Sequence, residues 1–247
     1  MTGFAALDNS LLDFVETMND VDAIDTAWEK TVRYMRSLGA SHVGNLLDLN
    51  DSGLFHLNTS SRRVIEIYRE YVYPDHDPKR THCQNNVTPY FFGQEFWDQE
   101  PNLSDPRRWC DEELVDAGGR ALVAIPIHMP HSKDWGHVSI ATDFCREEFV
   151  SFYNDRGGKL HVAAITAFNR IYNLAKNEEA KSIGLTDRER EVLLWLGRGL
   201  LADRIAERLN IKTITVSFHL ANARRKLNAR TSAQALVKSV QFGLIDP

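Results

Sequence analysis

The sequence predicts an α+β chain in two parts. The first is a sandwich of helices, antiparallel sheet and helices; the second is an all-α domain of four helices with a helix-turn-helix. Three observations predict this. Helix-period and strand-period patterns are mixed up to residue 176, and only helical patterns follow. Charge divides the same way: residues 186–247 carry 11 Lys/Arg against 6 Asp/Glu, a net of +5, and the remainder carries 18 against 28, a net of −10. Finally, residues 185–227 hold three helical patterns in close succession. The expected boundaries are a domain over 1–176, a linker over 177–184 and a second domain over 185–247.

Leu7, Leu11, Phe14 and Met18 mark a first amphipathic helix. Residues 22–38 read as a second, with Ile24, Trp28, Val32 and Met35 on one side and Gly39 at its end. Residues 41–48 and 54–58 read as a strand hairpin about Asn50-Asp51-Ser52-Gly53. Residues 62–73 read as a helix with Val64, Tyr68 and Tyr71 on a shared face, before a turn bracketed by Pro74 and Pro78. A short helix, a loop and a strand near Tyr90 are expected over 77–103. Residues 112–117 look helical, ended by Gly118-Gly119. Residues 121–128 and 135–142 are strands joined by a turn at His131-Ser132-Lys133-Asp134, and Pro126 argues for an edge or an irregularity. Residues 147–176 are helical, with Phe149, Phe152, Val162, Ile165, Phe168, Ile171 and Tyr172 as the apolar set and a kink expected at Gly157-Gly158. The polar, aperiodic run at 177–184 reads as the linker.

Hydrophobic content of 43% and charged content of 26% are ordinary for a soluble globular protein. There is no run of 18 apolar residues, and the N-terminus lacks a basic signal-peptide region. Cys83, Cys110 and Cys145 are odd in number and widely spaced, which suggests reduced thiols in a cytoplasmic protein. No membrane partner, metal site or cofactor is expected.

In the second domain, Thr186 followed by Glu189 has capping-box spacing and starts a helix bearing Val192, Leu193 and Leu196, which Gly199 stops. Ala202, Ile205, Ala206 and Leu209 form the face of the next helix, and a turn follows at residues 210–212. Val216, Leu220, Ala223 and Leu227 mark the buried face of the third, and Ala233, Leu236, Val237 and Val240 mark a fourth that ends at Gly243. Helix, tight turn, helix can set the third helix into a DNA major groove. Its outer face presents Ser217, Phe218 and Ala221 and closes with Arg224, Arg225 and Lys226. A basic segment of this kind is the electrostatic footprint of a DNA-binding domain. Many small helical bundles show similar faces, however, and periodicity alone leaves both readings open. His219 has no partner at metal-ligand spacing.

The residue string separates the two readings. Leu185, Thr186, Arg188, Glu189, Val192, Leu193, Gly199, Ile205, Ala206, Leu209, Thr215, Val216, His219, Ala223, Lys226 and Leu227 resemble the LuxR-type helix-turn-helix at fixed spacing. Departures fall at Leu200, Leu201 and Arg204, on the turn and surface. The resemblance implies that Thr215, Ser217, Phe218, His219, Ala221, Arg224, Arg225 and Lys226 meet double-stranded DNA. Arginines, Lys226 and His219 would hold phosphates, and Ser217, Phe218 and Ala221 would face base edges. Tyr68, Asp77-Pro78, Thr88-Pro89 and the stretch from Gly118 to Pro126 add a second resemblance, to the autoinducer-binding domain of LuxR-type quorum-sensing regulators.

Three readings compete for the first domain: a ligand sensor, an enzyme, and an interaction domain that needs no ligand. Asp75, His76, Asp77, His82 and Cys83 form the one dense cluster of reactive side chains, and a solvated turn before a helix explains it more simply than a metal or acid–base site. No Gly-rich phosphate loop, nucleophile elbow or H-E-x-x-H motif occurs, so no catalytic residue is nominated. The sensor is favoured. The resemblance implies a signal-responsive regulator that binds an inverted repeat as a homodimer, with RNA polymerase a further candidate partner. The alternative is a ligand-independent LuxR-type regulator whose first domain serves dimerisation or binds a partner protein.

In the family the ligand is held by a Trp, a Tyr four residues later, an Asp-Pro nine residues after that Tyr, and a second Trp. Tyr68 and Asp77 keep their places, but Val64 and Phe92 stand where the two Trp residues are expected. Leu122 replaces a Gly, Ser60 lies where a ring hydroxyl often sits, and Ser139 offers a further polar contact. A lost hydrogen bond to a buried carbonyl costs roughly 1–3 kcal/mol, enough to change ligand class. The expected ligand is thus first a non-standard small molecule, as in a solo member with an altered pocket, then a standard acyl-homoserine lactone, and thirdly none.

Overall fold

A computed structural model describes residues 9–49, 53–72, 77–130 and 132–246. Leu7, the turn residues Asn50 to Ser52, Pro74, Asp75, His76 and His131 lie outside the described residues. The chain divides into two compact units, Met1–Tyr172 and Asn173–Pro247.

The first unit is built on a five-stranded antiparallel sheet. Its strands are β1 (His42–Leu49), β2 (Gly53–Asn58), β3 (Tyr90–Phe92), β4 (Ala121–His128) and β5 (Trp135–Thr142), in the order β2-β1-β5-β4-β3. Pro126 is tolerated because β3 pairs only with residues 122–124, so beyond Ala124 the strand β4 has β5 as its sole neighbour. Successive side chains of a strand point to opposite faces, and here both faces are covered. One receives α3 (Arg62–Ile67), a π-helical turn at Tyr68–Val72, α4 (Pro78–Asn85) and α5 (Asp105–Asp116), whose core includes Val64, Tyr68, Cys83, Leu114, Leu122 and Trp135. A 3-10 turn, Gln94–Gln99, leads from β3 toward α5. The other face receives the first 27 residues of the long helix α6 (Arg146–Ile183), those up to Tyr172. A Cβ at Gly136 would lie 2.5 Å from the Phe168 ring and 1.9 Å from the Leu46 carbonyl, so only glycine lets helix and strand come this close. Helices α1 (Asn9–Asn19) and α2 (Ile24–Ser37) complete the unit.

Several faces differ from the periodic reading. On α2 the buried stripe is Ala27, Thr31, Tyr34 and Met35, with Trp28 and Val32 only half-buried. Small Ala27 and Thr31 let the helix approach closely, and the Thr31 hydroxyl is satisfied by the Ala27 carbonyl at 2.7 Å. After Ile67 the α-helix widens into the π turn, so Val72 is buried in place of Tyr71. On α6, Val162 and Ile165 are exposed, while Leu160, Ala163, Ala164 and Ala167 take the buried stripe, and the helix runs unbroken through Gly157-Gly158. Helix α5 starts seven residues earlier than the reading had it, at Asp105 rather than Glu112, with Ser104 at its N-cap and Pro106 in its first turn.

The segment read as an aperiodic linker is helical to Ile183, and Gly184 (φ +63°) ends α6. Ala180 and Ile183 pack on the apolar cluster of the second unit, which explains why a polar-looking run stays helical. That unit continues with α7 (Asp187–Gly197), α8 (Ala202–Leu209), α9 (Thr213–Lys226) and α10 (Ser232–Gln241). The capping box forms as expected: the Glu189 N–H donates to Thr186 Oγ1 at 3.3 Å and the Thr186 N–H donates to Glu189 Oε2 at 2.8 Å. Asn210 in the left-handed conformation (φ 51°) turns the chain from α8 into α9. On α10 the buried residues are Ala235 and Ser239, and Val237 and Val240 stand exposed.

Candidate functional site

In the first unit a cavity with about 620 Å³ of empty space, mouth included, lies between the sheet and the layer formed by α3, the π turn, α4 and α5. Six residues nominated from sequence converge on its wall: Ser60, Val64, Tyr68, Phe92, Leu122 and Ser139. Each is placed by a different element. Val64 and Tyr68 lie one helical turn apart, and Leu122 and Phe92 are direct partners across β4 and β3. Gly93 (φ +97°) allows this pairing to end tightly, since a Cβ there would meet Leu122 Cδ1 at 2.5 Å.

Asp77 is the exception. It sits behind the wall, 2% exposed, at the N-cap of α4. The Tyr68 hydroxyl donates to it at 2.9 Å and the Lys79 N–H at 3.1 Å. Lys79 Nζ lies 3.4 Å from one Asp77 oxygen, and the Arg107 guanidinium lies 3.6 Å from the other and 3.2 Å from Asp111. Burial alone would raise the Asp77 carboxyl, but Lys79 and Arg107 outweigh it and hold the pKa below its ordinary value. Burial alone would lower the Arg107 guanidinium, and Asp111 and Asp77 reverse that. The Tyr68 hydroxyl is pushed well up by burial and by Asp77 beside it.

The sequence reading missed much of this wall. Lys79, in a polar run whose sequence fits a polar ligand entrance and a surface turn equally, is buried and lines the cavity. Arg107 and Asp111 also line it, and they escaped because α5 was started too late; the Ser104-Asp105-Pro106 start signal could have found them. His56 and His137 complete the polar wall. Burial, then Lys79, lowers His56 to about 4 and His137 well below the usual imidazole value, so both are neutral near pH 7. Among the described residues no cluster of His, Cys, Asp or Glu could hold a metal ion.

In the second unit α9 buries Val216 and Ala223 and turns Ile214, Ser217, Phe218, Ala221 and Arg225 outward, at i, i+3, i+4, i+7 and i+11. Ile214 and Phe218 are 73% and 61% exposed. Ile214 was not nominated, though it begins the same periodic face. Thr215, His219 and Arg224 are half-buried beside this face. Lys226 departs from its expected role: its ammonium donates to Glu189 Oε2 at 2.7 Å and to the Gly184 carbonyl at 2.8 Å, so it locks α9 to the start of α7 and is withdrawn from the outward set. Burial would raise the Glu189 carboxyl, but Lys226 and Thr186 hold it below its ordinary value.

Among the described residues no helix is long and apolar enough to cross a membrane. The profile of the autoinducer binding domain matches residues 23–171, and that of the bacterial regulatory proteins of the luxR family matches residues 184–239. The transcriptional activator BjaR1 of Bradyrhizobium diazoefficiens is 38% identical over 184 residues, covering 73% of this chain and 72% of that protein. The transcriptional activator VanR of Vibrio anguillarum is 30% identical over 153 residues, 61% of this chain, and the match spans only 62% of VanR's length. Escherichia coli SdiA in its crystal structure has a TM-score of 0.66 at 17% identity, covering 97% of this chain and 99% of that one. A second SdiA structure, in complex with octanoyl-rac-glycerol, has a TM-score of 0.67 at 15% identity over 100% of this chain and 99% of that one; at these identities both show a shared fold. With one family domain over more than half of its length and the other over its C-terminal helices, the chain belongs to the LuxR family of autoinducer-binding transcriptional regulators, not to a family of enzymes.

Proposed function

We propose that this chain is a signal-responsive regulator that binds a small molecule in the cavity of the first unit and, as a homodimer, reads an inverted-repeat DNA site with α9. The observation that carries the reading is convergence. Ser60, Val64, Tyr68, Phe92, Leu122 and Ser139 come from separate stretches of sequence and line one cavity, with Asp77 directly behind Tyr68. A ligand that binds only the ordered state of this unit stabilises it by mass action, and that stabilisation is the means of control. Asp77 acts on the ligand through Tyr68 and Lys79, since it does not itself reach the wall.

On α9, Ser217, Phe218 and Ala221, with Ile214 added, face base edges, and none of them makes a bidentate guanine contact. Readout therefore leans on thymine methyls, a serine hydrogen bond and DNA shape. Thr215, His219, Arg224 and Arg225 hold the backbone. Support for the dimer comes from the exposed apolar residues Val237 and Val240 on α10, and from Val162 and Ile165 on α6. RNA polymerase remains a candidate partner of the DNA-bound dimer.

Selection from random duplex DNA with the full chain tests the reading. The expected product is an inverted repeat with half-sites about 10 base pairs apart, bound by two protomers in sedimentation, with occupancy changed by organic extract of the native host's culture. A non-repeated site bound by one protomer, or occupancy indifferent to every extract, would overturn it.

A further inference from the structure

Two buried cations stand on the wall of the cavity. Lys79 is 7% exposed and Arg107 is 4% exposed, and both line the space. Lys79 Nζ lies 4.5 Å from the centroid of the Tyr68 ring and 5.2 Å from that of Phe92, and Arg107 Cζ lies 4.9 Å from the Phe92 centroid. Phe92 therefore faces both positive groups, and Tyr68 faces Lys79 as well.

Their counter-charges leave donor capacity over. The ion-pair separations are 3.4 and 3.6 Å to Asp77 and 3.2 Å to Asp111, longer than the 2.7–2.9 Å of a strong charge-assisted bond. Each carboxylate is also engaged elsewhere. Asp77 accepts from the Tyr68 hydroxyl and the Lys79 N–H, and Asp111 accepts from Trp97 Nε1 at 2.9 Å. Arg107 Nε and His137 Nδ1 are buried without a hydrogen-bond partner among the described residues. Both belong to residues that line the cavity, where a ligand can supply the missing acceptors. Asp77 lies off the wall, and of the two carboxylates only Asp111 lines the space beside Lys79 and Arg107.

Resting on the reading of this cavity as a ligand site, we propose that its ligand is a small organic acid whose carboxylate is received by Lys79 and Arg107. The apolar remainder of the acid lies against Val64, Leu114 and Leu122. An oxyanion fits better than a neutral carbonyl for two reasons. Lys79 and Arg107 sit at longer than strong hydrogen-bond distance from Asp77 and Asp111, and donors of this kind bond an oxyanion about twice as strongly as a neutral oxygen. Arg107 turns Nη1 to Asp77 and Nη2 to Asp111, and its Nε, without a partner among the described residues, is a charged donor left for a ligand oxygen. The imidazoles of His56 and His137, held neutral by burial and by Lys79, line the same wall and each offers one N–H donor.

The test uses the full chain and matched probes. Octanoate, phenylacetate, 4-hydroxycinnamate and indole-3-acetate are each titrated beside their methyl esters, and N-octanoylhomoserine beside its closed lactone. Mass spectrometry of small molecules that co-elute with the chain from its own organism covers acids outside this panel. The expected result is an acid that binds at least about tenfold more tightly than its ester. Lys79→Met lowers the acid's affinity about tenfold and the ester's by clearly less, so the acid's advantage over its ester shrinks, while Lys79→Arg, which keeps the charge, restores that advantage to within about threefold. A tightest ligand that is a neutral lactone or ester, insensitive to Lys79→Met, overturns the acid assignment and leaves the sensor reading standing. If no probe binds and nothing co-elutes, the sensor reading falls together with it.

Discussion

Asp77→Asn changes one atom type in a buried carboxylate of the first unit, and its effect can be worked from the distances. With its oxygen at the Oδ1 position the asparagine amide still caps α4 through the Lys79 N–H, while its NH2 takes the Oδ2 position and the Tyr68 hydroxyl turns from donor to acceptor. What disappears is the negative charge 3.4 Å from Lys79 and 3.6 Å from Arg107. At an effective dielectric near 20 each of those contacts carries roughly 5 kcal/mol of Coulomb energy. Part is offset, because a neutral amide is easier to bury than a carboxylate. Losing one member of a buried ion pair measures about 3–5 kcal/mol, which is the expected loss here. Tyr68→Phe is the comparison. It removes a single hydrogen bond to the same carboxylate and should remove only about 1.5–2 kcal/mol. Urea unfolding of the full chain supplies the energies, and hydrogen exchange read by mass spectrometry supplies the location. Protection should fall in α4 and α5 and stay unchanged in α7 to α9. The folded Asp77 pKa is depressed, so its stabilisation is present above the unfolded carboxyl value and is lost as pH falls through the folded one. The gap between wild type and Asp77→Asn should therefore persist at about pH 5 and close only below about pH 4. A loss no larger than that of Tyr68→Phe, or one spread equally over α7 to α9, would refute the argument that these two cations depend on Asp77.

Two further outcomes concern the second unit. Glu189→Gln weakens both the capping box and the Lys226 lock and should destabilise the unit by about 2 kcal/mol, whereas Glu191→Gln, which touches only the exposed Arg188 pair, should change it by less than about 0.5 kcal/mol; thermal melts followed at the α7 peptides decide, and because the Glu189 pKa is depressed its contribution should vanish only as pH falls below the ordinary carboxyl range. Arg225→Ala should weaken all DNA sequences alike and lower the slope of log affinity against log salt by about 0.9, and a change in the preferred base in a binding selection would instead place Arg225 at a base edge.

Local, repetitive features of this protein were decided by sequence alone. A capping box, a glycine stop and an i, i+3, i+4 stripe involve residues within a turn of each other, so Thr186, Glu189, Gly199 and the faces of α7 to α9 are written where they act. The alternation of strand residues likewise placed β4 and β5. The resemblance carried Tyr68, Phe92, Leu122 and Ser139 to one cavity because those positions are matched one at a time. Tertiary structure alone decided which of two stripes on an amphipathic helix faces inward. Val162 and Ile165 on α6 lost to Ala163, Ala164 and Ala167, since a close helix–sheet approach selects small side chains over greasy ones. It also decided the sign of the cavity wall. Arg107 looks like an ordinary surface cation in the sequence, Lys79 fits a surface turn as well as a polar entrance, and no periodic pattern announces that either is buried. Each has one carboxylate close by in the chain, Asp77 two residues before Lys79 and Asp111 one helical turn after Arg107, but only the fold brings Asp77 to Arg107 from nearly 30 residues away and buries the joined cluster. Compensation of buried charge is a matter of three-dimensional proximity, and proximity across such separations has no periodic signature.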